Sequence, residues 1–397
     1  MPRISDRWSH FGTSIFSVMT LKAQATNSIN LAQGFPDFDG PETVKEAAIA
    51  AIRAGNNQYA PAPGLPRLRQ LIADRRTSTG NGSYDWNEEV TIFSGATEAL
   101  FCALQGLFDP GDEILAFEPL YDSYIAGAHS CGAKIIGIPL APPSFSFTAT
   151  DLEKNISKNT RAILVNSPHN PTGRVFNASE LEVIRDFAVA HDLLVLTDEV
   201  YEELVYAPNV FKSLANLPGM RERTVAISST AKTFSFTGWK VGFAFAPPHL
   251  TKLLRAVHQF TVFCSATPLQ HGMVVALEVG QKYYDELRLD YIRRRDLLLA
   301  SLATAGFRPA VPEGSYFIIA DYSRLSDEDD RSFAFRLSEE AGVATIPLSP
   351  FYVDEAVARE SLRYLRFAFC KGLDTLRAAG ARLNSFSGGT HPIGKVR

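Results

Sequence analysis

A lysine past the middle of the chain stands where an amine could act as a nucleophile. Lys232 follows the apolar run TVAISST, and apolar or small neighbours flank it in the string AISSTAKTFSF. Burial among such neighbours disfavours the charged form of an amine, so Lys232 should lose proton affinity and become a better nucleophile. The alternative is a lysine whose aliphatic stem covers apolar surface while its ammonium group reaches water.

Two carboxylates end another apolar run. Asp198 and Glu199 follow the string LLVLT, which should form a fully buried strand. A carboxylate at such a position is costly unless a cation or a strong hydrogen-bond donor meets it. A protonated ring nitrogen on a ligand would be a suitable partner.

Two further apolar runs end in residues that favour an anionic ligand and a fixed donor. Gly95, Ala96 and Thr97 follow EVTIFS and would open a helix whose free N–H groups point at an anion. Asn170 lies in NSPHNPTG, where two prolines restrict the turn and hold its amide rigidly. Both features also occur without a ligand. Small residues at a strand-to-helix turn often serve packing alone, and an ordinary turn would look similar to NSPHNPTG.

An arginine occupies an apolar strand near the C-terminus. The string YLRFAFC places Arg366 between aromatic and aliphatic neighbours. Its planar fork of donors matches a carboxylate, so a substrate carboxylate is a natural partner. An ion pair with a core Asp or Glu is the competing interpretation, and the strand alone does not decide between them.

Short β-branched apolar runs alternate with helical segments from about residue 89 to 247. This alternation predicts an α/β fold with a mainly parallel sheet that is covered by helices. Ligands of such sheets gather at the carboxyl ends of the strands, where the polar residues above are found. The runs are EVTIFSG, EILAFEP, AKIIGIPL, AILVNSP, LLVLTDE, TVAISST and VGFAFAP.

Helix signals accompany these runs. PETVKEAAIAAIRAG has Pro41 at a plausible first helical position and Gly55 past its end. NASELEVIRDFAVAH opens with Asn177 and carries Glu180 three residues later, a variant of the capping box. Residues 248–305 also favour helix, including a long charged stretch that we interpret as a solvated helix between two domains.

The chain divides into four predicted regions. Residues 1–40 form an N-terminal segment that packs with a small domain, and residues 41–299 form a large domain. Residues 300–384 form the small α+β domain around the strands GSYFIIADY, VATIPLS and YLRFAFC, and residues 385–397 form a tail.

Composition narrows the class of function. The 397 residues are 46% hydrophobic and 21% charged, as in ordinary globular proteins. A net charge of -4 gives no basic surface for nucleic acid or an anionic membrane, and four widely spaced cysteines suggest neither a metal clip nor a disulfide framework. No apolar run is long enough to span a membrane, and the first residues lack the apolar stretch of a signal peptide. We therefore expect a cytoplasmic protein that binds no metal.

Taken together, these motifs resemble the class I/II aminotransferases of fold type I, which depend on pyridoxal phosphate (PLP). The resemblance runs from about residue 11 to 384 and is greatest for the branch of kynurenine and glutamine transaminases and bacterial methionine aminotransferases. It implies that residues 41–299 form the PLP-binding domain. The motifs are GTSIF, NLAQGFPDFDGP, NQYAPAPG, GATEAL, NSPHNPTG, DEVYEELVY, SSTAKTFSFTGWKVG and YLRFAFCK.

The resemblance implies a role for each cofactor residue. Lys232 would form the Schiff base with PLP, and Asp198 would keep the pyridine nitrogen protonated. Tyr59 would reach the phosphate in the neighbouring subunit, which implies a homodimer. The other contacts would be Asn170 and Tyr201 at the phenolic oxygen, Tyr121 over the ring, and Gly95, Ala96, Thr97, Ser229 and Lys240 at the phosphate.

On the substrate side, the resemblance implies that Arg366 clamps the α-carboxylate with help from Asn170 and the backbone at Gly34. Ile15 and Phe16 would lie near the substrate side chain. The chain departs from the family at Lys240, where many members have arginine, and at His169, where another Asn is common. The first change keeps the charge but gives up the bidentate fork.

The implied activity is transfer of an amino group from an amino acid to a 2-oxo acid by a ping-pong mechanism. A second arginine near GTSIF or FPDFDG would indicate a site for a side-chain carboxylate, and the sequence has none there. A neutral donor such as methionine, glutamine or an aromatic amino acid is therefore expected. A cysteine-S-conjugate β-lyase could use the same residues. A PLP-binding transcription regulator is a third possibility, but it would need a DNA-binding module and a basic surface.

Overall fold

The computed structural model describes residue 5, residues 7–9 and residues 11–386, so most of the predicted tail and part of the first ten residues lie outside the described residues. The strands are β1 (Ile29–Asn30), β2 (Val90–Phe93), β3 (Glu113–Glu118), β4 (Lys134–Pro139), β5 (Thr160–Asn166), β6 (Leu194–Asp198), β7 (Thr224–Ser229), β8 (Gly242–Phe245), β9 (Arg308–Pro309), β10 (Phe317–Asp321), β11 (Val343–Ala344), β12 (Ile346–Pro347) and β13 (Tyr364–Ala368). The α-helices are α1 (Ile15–Ala25), α2 (Glu42–Arg53), α3 (Pro66–Ser78), α4 (Ala96–Leu107), α5 (Ser123–Cys131), α6 (Ala149–Glu153), α7 (Ala178–Ala190), α8 (Thr230–Thr233), α9 (Pro248–Thr261), α10 (Thr267–Leu277), α11 (Gln281–Thr304), α12 (Asp330–Arg336), α13 (Glu355–Ser361) and α14 (Leu373–Ser385).

A seven-stranded sheet forms the centre of the molecule, in the order β2-β8-β7-β6-β5-β3-β4. β8 is antiparallel to both of its neighbours, and the other strands all run in one direction. Each of the seven predicted runs forms a strand of this sheet, so the predicted α/β fold with a mainly parallel sheet is confirmed. The reversal of β8 was not predicted, because an apolar run does not reveal its direction.

The central residues of most strands in this sheet are apolar at consecutive positions because both of its faces are covered. In β3, Leu115 belongs to one core cluster and its neighbour Ile114 to another, and Ile163 and Leu164 repeat this arrangement in β5. Successive side chains of a strand point to opposite faces, so a sheet that is buried on both sides needs apolar residues at consecutive positions.

A second, smaller sheet forms from the C-terminal part of the chain. Its order is β12-β13-β10-β9, and all of its pairs are antiparallel. β1 pairs with β11 in parallel, with Ile29 opposite Val343. The N-terminal segment is therefore joined by backbone hydrogen bonds to the region that holds the smaller sheet.

The predicted helices form, with one shift at an end. α7 has the predicted capping box, with Glu180 N donating to Asn177 Oδ1 at 3.1 Å and Asn177 N donating to Glu180 Oε2 at 3.0 Å. Pro41 was predicted as the first helical residue of α2 but is its N-cap, because its ψ of 133° is extended. In the ranges described above, no helix combines the length and the apolarity that crossing a membrane requires.

The parallel strands bring chemically active residues to one edge of the large sheet. β5, β6 and β7 end at Asn166, Asp198 and Ser229, respectively. β2 runs in the same direction and ends just before Gly95, which precedes α4. These carboxyl ends form one wall of a cavity, and β13 of the smaller sheet contributes to the opposite wall.

We expect Asn177→Ala to lower the free energy of unfolding by about 1 kcal/mol, because the substitution leaves an N–H group in the first turn of α7 without its acceptor. Urea denaturation of the parent and the variant would measure the change. Glu182→Ala, at an exposed position of the same helix, is the matched control and should change the stability by less than about 0.5 kcal/mol. An equal loss in both variants would contradict the assigned role of the cap.

Candidate active site

A cavity of about 500 Å³ lies between the carboxyl edge of the large sheet, the N-terminal segment and β13. It brings together most residues that the sequence analysis singled out. Ile15 and Tyr59 do not line it. The lining includes Phe16, Gly34, Gly95, Ala96, Thr97, Tyr121, Asn170, Asp198, Tyr201, Ser229, Lys232, Lys240 and Arg366.

The two exceptions have separate reasons. Ile15 was expected near the substrate, but its side chain is buried in the core. Consecutive residues of a helix point about 100° apart, and it is Phe16 that faces the cavity. Tyr59 is 81% exposed. It was predicted to serve a neighbouring subunit, and that role stays a prediction because a single chain is described.

Lys232 faces the cavity from the short helix α8, directly after β7. Ser229 caps this helix by accepting a hydrogen bond from the backbone N–H of Ala231 at 3.1 Å. The Lys232 Nζ lies 5.9 Å and 5.7 Å from the ring centroids of Tyr201 and Tyr316, and no described residue forms an ion pair with it within 4.0 Å. Burial lowers the pKa of Lys232 to about 8, although the charge of Asp198 opposes the shift. With its pKa this close to neutral pH, the amine loses its proton more readily than an exposed lysine does.

Asp198 ends β6, and one donor reaches each of its two carboxylate oxygens. Tyr124 Oη donates to Asp198 Oδ2 at 2.6 Å, and the backbone N–H of Val200 donates to Oδ1 at 3.3 Å. Burial raises the pKa of the Asp198 carboxyl, and the Tyr124 hydrogen bond opposes that rise. Within the described part of the chain, no Lys or Arg lies in ion-pair contact with it, so the carboxylate is open to a cationic group in the cavity.

Glu199, the second carboxylate of this pair, has a different environment. Its side chain points away from the cavity, and Oε2 lies 2.5 Å from Nη2 of the buried Arg76. Ser213 and Thr197 donate to the other oxygen at 2.7 Å and 2.9 Å. Neighbouring positions at the strand end face opposite sides, so a protein cation already compensates Glu199 while Asp198 remains free for a ligand.

The start of α4 presents free backbone amides at one end of the cavity. In the ranges described, no hydrogen bond uses the backbone N–H of Ala96 or Thr97. Gly95 has φ +87°, and a Cβ at this position would lie 2.8 Å from Cε of Lys240. Only glycine therefore lets the Lys240 side chain lie across the helix start. The two free amides and the Lys240 ammonium group then line the same end of the cavity, an arrangement that suits an anion.

Arg366 lies at the other end of the cavity and is buried. Its Nη1 donates to Asn170 Oδ1 at 2.9 Å and its Nη2 to the Ala32 carbonyl at 2.7 Å, while Nε has no partner. The ring centroid of Phe317 lies 4.0 Å from the guanidinium carbon. Burial lowers the pKa of Arg366 to about 10, which keeps it cationic at neutral pH.

The core ion pair that competed for Arg366 is not found, because none of the described carboxylates lies within 4.0 Å of it. An uncompensated buried cation is costly, so this geometry favours a carboxylate ligand. Gly34 is fixed beside it, since Tyr316 Oη donates to the Gly34 carbonyl at 2.5 Å. A Cβ on Gly34 would lie 2.7 Å from Phe317 Cζ, so the close approach requires glycine.

Sequence reasoning missed two tyrosines that organise the site. Tyr124 bonds Asp198 from α5, and Tyr316 bonds Gly34 from the turn before β10. The string YDSY offered a signal for the first, because it places Tyr124 three positions after Tyr121, which was already selected. No local signal identifies Tyr316, because its partner is 282 positions away.

Comparisons with known proteins agree with this geometry. The sequence profile described as aminotransferase class I and II matches residues 26–372. A probable N-succinyldiaminopimelate aminotransferase of Mycobacterium tuberculosis is 41% identical over 382 residues, which cover 94% of this chain and 96% of that protein. The methionine aminotransferase of Escherichia coli is 37% identical over 372 residues, which cover 94% and 95%.

Solved structures of aminotransferases also superpose closely on this chain. The crystal structure of an Escherichia coli protein identified as having a methionine aminotransferase function superposes with a TM-score of 0.92 at 36% identity, over 97% of this chain and 100% of that one. The structure of the Mycobacterium tuberculosis N-succinyldiaminopimelate aminotransferase also gives 0.92, at 41% identity over 96% and 99%.

We expect the ligand-free Lys232→Met variant to be more stable than the ligand-free parent at pH 7, because burial disfavours the lysine charge. The pKa of Lys232 falls from 10.5 to about 8 on folding, so between these values the unfolded chain binds more protons than the folded one. The stability of the parent then rises with pH, and the advantage of the variant should shrink from pH 8 to pH 10.5. Urea denaturation across this range would measure it, with Lys252→Met, at an exposed position, as the control. A constant difference would contradict the expected shift.

Proposed function

Because the chain belongs to the class I and II aminotransferases, we propose that it moves an amino group from a neutral L-amino acid to a 2-oxo acid, with Lys232 as the catalytic amine. One observation carries the proposal. The Lys232 amine, the Asp198 carboxylate and the Arg366 guanidinium face one cavity, and none of them is ion-paired with a described residue. Such a site is prepared for a ligand that brings the complementary charges.

The cofactor of this family and fold is PLP, and the residues around the cavity fit it. When bound, PLP supplies an aldehyde carbon that an amine can attack and a ring that accepts an electron pair. The free Ala96 and Thr97 amides with Lys240 suit its phosphate, and the unpaired Asp198 carboxylate suits its ring nitrogen. The remaining proposed contacts are Gly95 and Ser229 at the phosphate, Tyr121 beside the ring, and Asn170 and Tyr201 at the phenolic oxygen.

Lys232 would act as the acid and base of the reaction. Since burial lowers the pKa of Lys232 to about 8, a useful fraction of the amine is uncharged near neutral pH and can remove the proton from Cα of the amino donor. In the second half of the reaction, the same amine would return a proton to Cα of the new amino acid. The donor's product leaves before the 2-oxo acid enters, so ping-pong kinetics follow.

Arg366 would fix the substrate by its α-carboxylate. Its orphaned Nε and its desolvated guanidinium suit a planar anion, and Asn170 and the backbone at Gly34 border the same space. Holding the carboxylate at one end orients Cα toward the Lys232 side of the cavity. This orientation is the main contribution that a positioning cation makes to the rate.

The cavity favours a donor with a neutral side chain. Its described cations are Lys232, Lys240 and Arg366, and each already has a proposed role. Phe16 and Phe35 from the N-terminal segment border the remaining space. Similar proteins are named for succinylated diaminopimelate, methionine and kynurenine. Because these names differ, the proposal of a neutral donor is based on the residues that line the cavity.

We also propose a homodimer. Tyr59 and Phe260 are 81% and 86% exposed, and Val262 and Phe263 beside them are also exposed. The rings of Tyr59 and Phe263 pack against each other with 5.2 Å between their centroids. An aromatic cluster that projects into solvent suits contact with a second copy of the chain, where Tyr59 would reach the phosphate of that copy's site.

Replacing the catalytic amine is the direct test of this function. We expect Lys232→Ala to lower the transamination rate by at least about a hundredfold, because no other amine stands in its place. Borohydride should attach PLP to Lys232 in the parent and leave no covalent label in the variant, as peptide mass spectrometry would show. Lys252→Ala, at an exposed site, is the control and should keep both activity and label. Sustained transamination by Lys232→Ala would refute the assignment.

The donor class has its own test. We expect kcat/KM for methionine or phenylalanine to exceed that for aspartate by at least about tenfold, because no cation is free to meet a side-chain carboxylate. Initial rates with a panel of donors against one 2-oxo acid would measure this. Arg366→Lys is the control, since loss of the bidentate fork should weaken all donors alike. A preference for aspartate or for N-succinyldiaminopimelate would show that the cavity has been misread.

A further inference from the structure

A buried histidine outside the cavity joins two segments that the proposed function assigns to different active sites. His258 lies on α9, and its side chain is 1% exposed. Its Nδ1 is 2.7 Å from Glu98 Oε1, and its Nε2 is 2.9 Å from the carbonyl oxygen of Ala62. A carbonyl oxygen only accepts, so Nε2 carries a hydrogen and donates it to Ala62.

The Glu98 side of this junction belongs to the start of α4. Glu98 is the third residue of that helix, and its other carboxylate oxygen accepts a hydrogen bond from the backbone N–H of Ser94. The side chain of Glu98 is 7% exposed. The hydrogen bond between the Ser94 N–H and the Glu98 carboxylate fixes the backbone at the start of α4, immediately beside the free amides of Ala96 and Thr97. Those amides form the phosphate end of the site in the same subunit.

The Ala62 side belongs to the loop formed by residues 58–64, which carries Tyr59. His258 also holds the segment that packs against this loop, because its own carbonyl accepts a hydrogen bond from the backbone N–H of Phe263 at 2.9 Å. The Phe263 ring then contacts Tyr59. The imidazole thus holds the loop that carries Tyr59, whereas the position of Phe263 depends on the main chain of His258.

We infer that His258 is a positioning residue that links the phosphate end of its own active site to the Tyr59 loop of the neighbouring site, an inference that rests on the proposed roles of the α4 amides and Tyr59. Loss of the imidazole leaves a buried carboxylate and a buried carbonyl without their shared donor, and each unsatisfied group is costly. The helix start and the loop would both relax, so a change in one subunit reaches the active sites of both.

A metal centre is the other interpretation of this cluster. Ligand atoms of Glu98, Cys102 and His258 lie within 4.8 Å of one another. Both ring nitrogens of His258 are already hydrogen-bonded, however, so a metal ion would have to displace Glu98 from Nδ1 or Ala62 from Nε2. The hydrogen-bonded junction is therefore the better account, and the experiment below includes a metal analysis of the purified parent.

Hybrid dimers separate the two directions of the link. One subunit carries Lys232→Ala, so only the other, intact subunit can hold lysine-linked PLP. His258→Gln is placed either on the Lys232→Ala subunit, where it can reach the intact site only through the Tyr59 loop, or on the intact subunit, where it acts through α4. Release of PLP from the intact site is followed by its absorbance in the presence of a trap for free PLP, without any turnover.

We expect release to become about tenfold faster in both arrangements, which is the effect of losing one hydrogen bond of about 1.4 kcal/mol. His191→Gln is the control, since this histidine is exposed and its ring nitrogen lies 3.2 Å from Glu153 Oε1, outside the cavity lining, and it should leave release unchanged. Unchanged release with His258→Gln on the Lys232→Ala subunit would overturn the link, and so would a stoichiometric metal ion in the parent.

Tyr59→Phe on the Lys232→Ala subunit distinguishes failure of the inference from failure of the proposed function. If it leaves release unchanged, the role of Tyr59 is wrong. If it speeds release while His258→Gln does not, the link alone is wrong. Should the His258 variant not fold, Glu98→Gln keeps the test open, because it leaves the bond to Ala62 in place. It should speed release only on the intact subunit, and acceleration in neither arrangement would overturn the inference.

Discussion

The site depends on three charged side chains, of which Arg366 is buried and Lys232 and Asp198 are partly buried, that are kept from pairing with one another. Lys232, Asp198 and Arg366 line one cavity, yet they lie on different elements and no two of them form an ion pair. A low-dielectric setting makes each unpaired charge costly, so the free energy of folding has to come from other contacts. A ligand that binds in the cavity supplies the missing ionic partners, because it brings a cation for the carboxylate and anions for the cationic groups.

The scaffold around the cavity helps to keep these charges apart by satisfying several neighbours that could compete for them. Arg76 forms an ion pair with Glu199, so this carboxylate does not compete for the Lys232 ammonium group. Asn170 and the Ala32 carbonyl hold Arg366 without neutralising it. Neutral hydrogen-bond partners fix a charged group in place and still leave its charge available for a ligand, which a salt bridge would not do.

The residues proposed to hold PLP and those proposed to border the substrate side chain lie in different parts of this structure. The residues proposed to hold PLP lie at strand ends and helix starts, whose positions follow from the fold itself. The remaining space is bordered by Phe16 on α1 and Phe35 in the loop before α2. This N-terminal segment lies outside the large sheet and can vary without changing it. Such a separation is consistent with the different donors for which similar proteins are named.

The sequence by itself determined the elements and most of the site. Apolar runs bounded by turn residues gave seven strands, and strand-end positions alone selected Lys232, Asp198, Asn170 and the start of α4, because parallel strands collect their carboxyl ends at one edge. The capping box of α7 was also readable, since its two partners lie three residues apart. These features depend on interactions between near neighbours or on a general rule of sheet topology.

Only the tertiary structure decided the contacts between distant parts of the chain. Tyr124 meets Asp198 across 74 positions and Arg366 meets Asn170 across 196, so no local pattern records either pair. The environment of Arg366 was left open between an ion pair and a free cation, because a strand pattern shows that a residue is buried but not what lies opposite it. Which of Ile15 and Phe16 faces the cavity was likewise fixed by how α1 packs, and a short string of letters does not contain that rotation.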